Sequence, residues 1–97
     1  MRIISTKTLI EYYTKHPDAK NAILYWIEIV KHAKWRNAAD VKLDFSTVDS
    51  IGGQRYVFNI GGNKHRLVAV VQFVHLHVYI RFIGTHAEYD KIDSRNI

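Results

Sequence analysis

Two short turn regions of this chain hold side chains that together could cleave RNA. The first is Asn59-Ile60-Gly61-Gly62-Asn63-Lys64-His65-Arg66-Leu67-Val68, and the second is Gly84-Thr85-His86-Ala87-Glu88-Tyr89-Asp90. Transesterification of RNA needs a base for the 2′-hydroxyl proton and an acid for the departing 5′-oxygen. It also needs cations to stabilise the charge that builds on phosphorus. Arg66 offers a bidentate fork for phosphate oxygens, and Lys64 offers a point charge. His86 can donate or accept a proton near neutral pH. Tyr89 can act as a base if cations lower its pKa, or else stack on a nucleobase or orient the substrate. This chemistry calls for no thiol, metal ion or cofactor.

The elements around these residues set whether they can meet. Arg2-Ile3-Ile4 reads as a short strand, and Ser5 or Thr6 can cap a helix carrying Leu9, Ile10 and Tyr13 on one stripe. His16-Pro17-Asp18 breaks that helix. Pro17 and Asp18 suit the start of a second one, in which Ile23, Trp26, Ile27 and Val30 recur at spacings of three and four up to about Trp35. Val41, Leu43 and Phe45 alternate within a segment that reads equally as a strand or as a loop with a short turn. Arg55 to Ile60 alternates as a strand should, Gly61-Gly62-Asn63 accepts positive φ, and Arg66 to Val74 is apolar on both faces. After a turn around His75 and Leu76, Val78 to Ile83 returns. These elements predict an α+β domain spanning 1–97. Its N-terminal strand and C-terminal three-stranded meander form an antiparallel sheet, with two helices on one face.

Hairpins at those turns place Arg66 nearly opposite both Asn59 and Thr85. Lys64, His65, Arg66, Thr85 and His86 then share one rim, with Tyr89 about a turn beyond. A one-residue slip in register would exchange faces while keeping the rim. Each residue also has a purely structural reading. Arg66 could be a solvated surface group, His86 could start a turn, and Tyr89 could be a packing aromatic. Trp26 and Trp35 read as core and helix-end packing. His75 and His77 lack nearby carboxylates and make a weak metal pair. Arg81 could extend the basic face or pair with an acid, so it is given no role.

Fourteen Lys and Arg against nine Asp and Glu give a net charge of +5 on 97 residues. Such a balance favours a polyanionic partner, nucleic acid first. No apolar run approaches the ~20 residues of a membrane-spanning helix. Met1 to Ile4 is too short for a signal peptide. With no cysteine, a reducing cytoplasm suits the chain.

Residues 56–68 (Tyr-Val-Phe-Asn-Ile-Gly-Gly-Asn-Lys-His-Arg-Leu-Val) and 79–93 (Tyr-Ile-Arg-Phe-Ile-Gly-Thr-His-Ala-Glu-Tyr-Asp-Lys-Ile-Asp) closely resemble the HigB toxins of bacterial toxin–antitoxin modules. These toxins lie within the RelE/ParE superfamily. The resemblance extends over nearly the whole chain and is strongest from Val57 to Asp93. It implies a RelE/ParE-like fold and an endoribonuclease that cuts mRNA, in most relatives on the ribosome. The implied partner is a HigA-like antitoxin with a helix-turn-helix domain, through which alone the pair reaches operator DNA. An Arg-Leu-Val arginine contacts the scissile phosphate in the RelE branch, and Arg66 occupies that setting. Tyr89 matches a tyrosine after the last strand. Thr85-His86 stands where RelE has basic residues, which makes His86 the candidate acid or electrostatic group. Lys64 and His65 carry over as RNA contacts, with Asn59 and Thr85 beside them. ParE-type relatives poison gyrase without cutting RNA, so the resemblance leaves open a non-catalytic binding toxin or an inactive antitoxin-binding relative.

Overall fold

A computed structural model describes residues 1–97. The pleat of β3 (Arg55–Ile60) sends Tyr56, Phe58 and Ile60 to one face and Arg55, Val57 and Asn59 to the other. β4 (His65–Gln72) pairs with it antiparallel, with Asn59 opposite Arg66, and β5 (His77–Thr85) pairs with the far side of β4. Two short strands complete a five-stranded sheet in the order β1-β5-β4-β3-β2: β1 (Arg2–Ile4) and β2 (Asp49–Gly52).

The α+β architecture stands, but the sheet is mixed rather than wholly antiparallel. β1 lies parallel to β5, with Ile3 beside Val78. Helices follow β1, so no tight turn obliges it to run against its neighbour. β2 is an additional edge strand with a shift in register between Ser50 and Gly52.

α1 (Thr6–Lys15) begins after Ser5, which is in the left-handed region at φ 76° and makes no side-chain cap. A single 3₁₀ turn, Pro17–Ala19, leads into α2 (Lys20–His32), which ends before Trp35 because Ala33 is extended. The segment with alternating Val41, Leu43 and Phe45 contains a helix, α3 (Ala38–Asp44). Asn37 caps it by accepting the Asp40 N–H at 3.1 Å. Val41 and Phe45 are four residues apart and turn inward, whereas Leu43 is 83% exposed. The helical period therefore explains the pattern better than a pleat does.

One face of the sheet packs beneath the helices. Leu9, Ile23, Trp26 and Val30 meet Phe58, Leu67, Ala69 and Val71 in a single core. Trp26 and Phe45 both stand edge-on to Phe58, at centroid distances of 5.3 and 5.1 Å. The opposite face carries Arg66, Val68 and Val70 and has no helical layer. Only the final short helix, α4 (His86–Tyr89), and the C-terminal segment approach it. Phe58→Ala should lose roughly 3–5 kcal/mol in urea unfolding. Val74→Ser, at a residue 90% exposed, should change stability by no more than about 0.5 kcal/mol.

Candidate active site on the open sheet face

The pleat sends His65 and Arg66 to opposite faces, and this decides which predicted residues meet. Arg66 stands on the open face between Asn59 on β3 and Gly84 on β5. Thr85, expected near Arg66, pairs instead with His65. The connection between β4 and β5 is centred earlier than the sequence suggested, and a bulge after Val68 inserts Arg81 as an extra residue on β5. The bulge thereby puts a glycine across from Arg66. A β-carbon at Gly84 would lie 2.5 Å from Phe82 Cζ, so the missing side chain lets the phenyl ring lie over that position.

Thr85 has a local role. Its hydroxyl accepts the Glu88 N–H at 3.2 Å while its own N–H donates to Glu88 Oε1 at 2.8 Å, a capping box that starts α4. That backbone bond, with the Thr85 hydroxyl beside it, holds the Glu88 carboxyl below its ordinary pKa. The His86 N–H donates to the Lys64 carbonyl at 2.9 Å and ties α4 to the hairpin. His86 Nδ1 lies 3.0 Å from Asp90 Oδ2, which leaves Nε2 as the ring nitrogen available to a ligand. Tyr89 comes under the arginine, with the guanidinium carbon 5.9 Å from its ring centroid, and its hydroxyl donates to Ser94 Oγ at 3.3 Å. Lys64 is exposed on the hairpin.

Asn59, Arg66 and Tyr89 are thus grouped at one end of the open sheet face, and the backbone bond from His86 to Lys64 brings α4 and the hairpin together beside them. Arg66 donates only to the Asn63 carbonyl, at 3.4 Å, and none of the five ion pairs uses it. Its fork is free for an anion.

His65 does not join this group. It is 3% exposed beneath α1, with Nδ1 2.6 Å from the Tyr12 hydroxyl and Nε2 2.8 Å from Asp18 Oδ2. His16 stacks on Tyr12 at 4.2 Å. Burial, followed by the nearby Glu88 and Asp18 carboxylates, pushes the Tyr12 phenol up to about 12. A neutral Tyr12 can donate to Nδ1, which leaves Nε2–H to donate to Asp18. The bond from His65 in turn holds the Asp18 carboxyl below its ordinary range. Tyr12, His16 and Asp18 escaped the sequence reading because they are 47 to 53 residues from His65 or, like Asp18, suited a helix start.

No group of three or more His, Cys, Asp or Glu side chains is gathered as a metal site. His77 Nδ1 instead lies 3.2 Å from the Tyr79 hydroxyl. No helix is long and apolar enough to cross a membrane.

A sequence profile of the HigB toxins, described as the RelE-like toxic component of a toxin–antitoxin system, matches residues 19–92. The chain belongs to the HigB toxin family. It is 33% identical over 92 residues to the mRNA interferase toxin HigB of Escherichia coli strain K12, covering 93% of this chain and 88% of that protein. Its identity to the mRNA interferase HigB of Shigella flexneri is the same over the same span. The mRNA interferase HigB of Escherichia coli O6:H1 strain CFT073 is 29% identical over 94 residues, 95% of this chain and 91% of that one. In this member of the family, the hairpin and last-strand motifs form the rim that carries Arg66 and Tyr89.

The buried network predicts a response to pH at both extremes. Asp18 has a depressed folded pKa, so its contribution is present above the unfolded value of about 4 and is lost as pH falls through the folded one. Asp18→Asn should be less stable at pH 7, and thermal melts should show a smaller further loss for it below about pH 4. Tyr12 has a raised pKa, so its contribution is present below pH ~10 and is lost as pH climbs toward about 12. In a tyrosinate absorbance titration, one of the six tyrosines should ionise last in wild type, and Tyr12→Phe should remove that late step.

Proposed function

We propose that this HigB-family toxin is an mRNA endoribonuclease acting on ribosome-bound messages by attack of the 2′-hydroxyl, without a metal ion. The reading is supported above all by the unpaired Arg66 fork lying over Tyr89 on an open sheet face, in a family whose matched relatives are named mRNA interferases.

Arg66 binds the scissile phosphate through two N–H groups and stabilises the charge that develops on its oxygens. Tyr89, reacting as its phenolate, takes the proton from the 2′-oxygen as that oxygen attacks phosphorus and becomes the neutral phenol. The bond to the 5′-oxygen breaks, and His86 Nε2–H, held in register by Asp90, supplies the proton to the leaving group. The products are a 2′,3′-cyclic phosphate and a free 5′-hydroxyl. Lys64 and Asn59 contact the adjoining backbone, and Thr85 contributes through the turn that positions His86. His65 has both ring nitrogens occupied, so its part is to hold the start of β4 rather than to touch RNA. A HigA-like antitoxin with a helix-turn-helix domain neutralises the toxin in the cytoplasm and alone contacts operator DNA.

Expression without antitoxin should arrest growth. Arg66→Ala should lower that toxicity by at least ~100-fold in inducer titration, the scale of losing one charge-stabilising donor. His86→Ala and Tyr89→Phe should each lower it by ~10–100-fold, the scale of a general acid–base contribution. All three should melt within a few degrees of wild type, because the substituted groups lie at the surface of the open face. Full toxicity from folded Arg66→Ala would reject the site. Arrest with intact mRNA would indicate a binding toxin.

A further inference from the structure

The open face carries two more arginines besides Arg66. Arg55 on β3 and Arg81, the bulged residue on β5, line a cavity of about 330 Å³ together with Gly53, Val70, Gln72 and Tyr79. No carboxylate lines it, and none of the five ion pairs involves Arg55 or Arg81. Arg55 Nε and Nη2 donate to the Ile97 carbonyl at 3.1 and 2.8 Å. That contact engages the Arg55 guanidinium, so Arg81 is the free cation of the cavity. Tyr79 pairs with Val70 in the β4–β5 register, and its hydroxyl lies 3.2 Å from His77 Nδ1, which fixes the ring's tilt.

The cavity shares a sheet face with the cleavage site. Residue 70 is four positions along β4 from Arg66, so the two sites are about 13 Å apart. A cationic groove beside an aromatic ring is the pattern by which single-stranded nucleic acid is held without reading its sequence. We infer that the cavity lined by Arg55, Tyr79 and Arg81 is a second nucleotide subsite for the same RNA chain, separate from the scissile phosphate. Arg81, exposed and unpaired, binds a phosphate. Tyr79 stacks on a base. The inference rests on the RNA-cleaving reading of Arg66.

The test uses the full chain and RNA that is 2′-O-methylated throughout, which binds but cannot be cut. One oligonucleotide is long enough to cross the sheet face, and the other is a dinucleotide. Affinities are measured by fluorescence anisotropy at several salt concentrations. For the long strand, Arg81→Gln should lose several-fold in affinity and flatten the slope of log K against log salt by about 0.7, the value of one phosphate contact on a single strand. Tyr79→Leu should lose about fivefold or more with the slope unchanged, as expected for a lost stacked base. Both variants should bind the dinucleotide as wild type does.

Wild-type affinity and slope for the long strand in Arg81→Gln would overturn the subsite, leaving the cavity to an acidic protein segment. Equal losses for the dinucleotide would also overturn it, because the effect would then be general to the face. Failure of the underlying reading is separately visible: cleavage by Arg66→Ala at the wild-type rate would remove the scissile site itself.

Discussion

The alternation of two neighbouring side chains at the start of β4 governs the architecture of this toxin. His65 turns inward and is fixed between Tyr12 and Asp18, while Arg66 turns outward to the open face. A pleated strand cannot direct consecutive residues to the same side, so anchoring one settles the direction of the other. The inward contact joins α1 and the Pro17–Ala19 turn to the strand, which gives the outward arginine a rigid base. The phosphate contact proposed for Arg66 gains from such a base, since little conformational freedom is then lost when a ligand arrives.

The rest of the site follows from the same strand. Gly84 lies across from Arg66, Phe82 lies over the glycine, and the Thr85–Glu88 capping box turns the chain so that Tyr89 comes beneath the guanidinium. The β-bulge after Val68 makes this alignment possible, because a regular ladder would set Ile83 rather than Gly84 against Arg66. The same bulge turns Arg81 toward the cavity it shares with Tyr79. One irregularity in the ladder thus shapes both ends of the face.

Much of the fold could be read from residue order. Alternation from Arg55 to Ile60, the Gly61-Gly62 turn and the apolar run after Arg66 placed the central hairpin and set Arg66 against Asn59. The parallel pairing of β1 was hidden because three residues carry too little pattern to show their direction. α3 was obscured because Val41, Leu43 and Phe45 fit a period of two over so short a span. His65 looked like a member of the rim because sequence proximity to Arg66 does not reveal a face. Its partners on α1 and the 3₁₀ turn become visible only when the chain is folded. The bulge has no signature in residue type, since Arg81 suits an exposed position in either register.

On the mechanism proposed above, Arg66 and its neighbours break an RNA chain through the 2′-oxygen. The most direct test adds purified protein to a reconstituted translation reaction and maps both the position and the chemistry of new mRNA ends, beside Arg66→Ala. New ends should lie within codons and carry 2′,3′-cyclic phosphate and 5′-hydroxyl groups, formed by wild type with ribosomes and absent with the variant. Intact mRNA, or 3′-hydroxyl and 5′-phosphate ends, would contradict it.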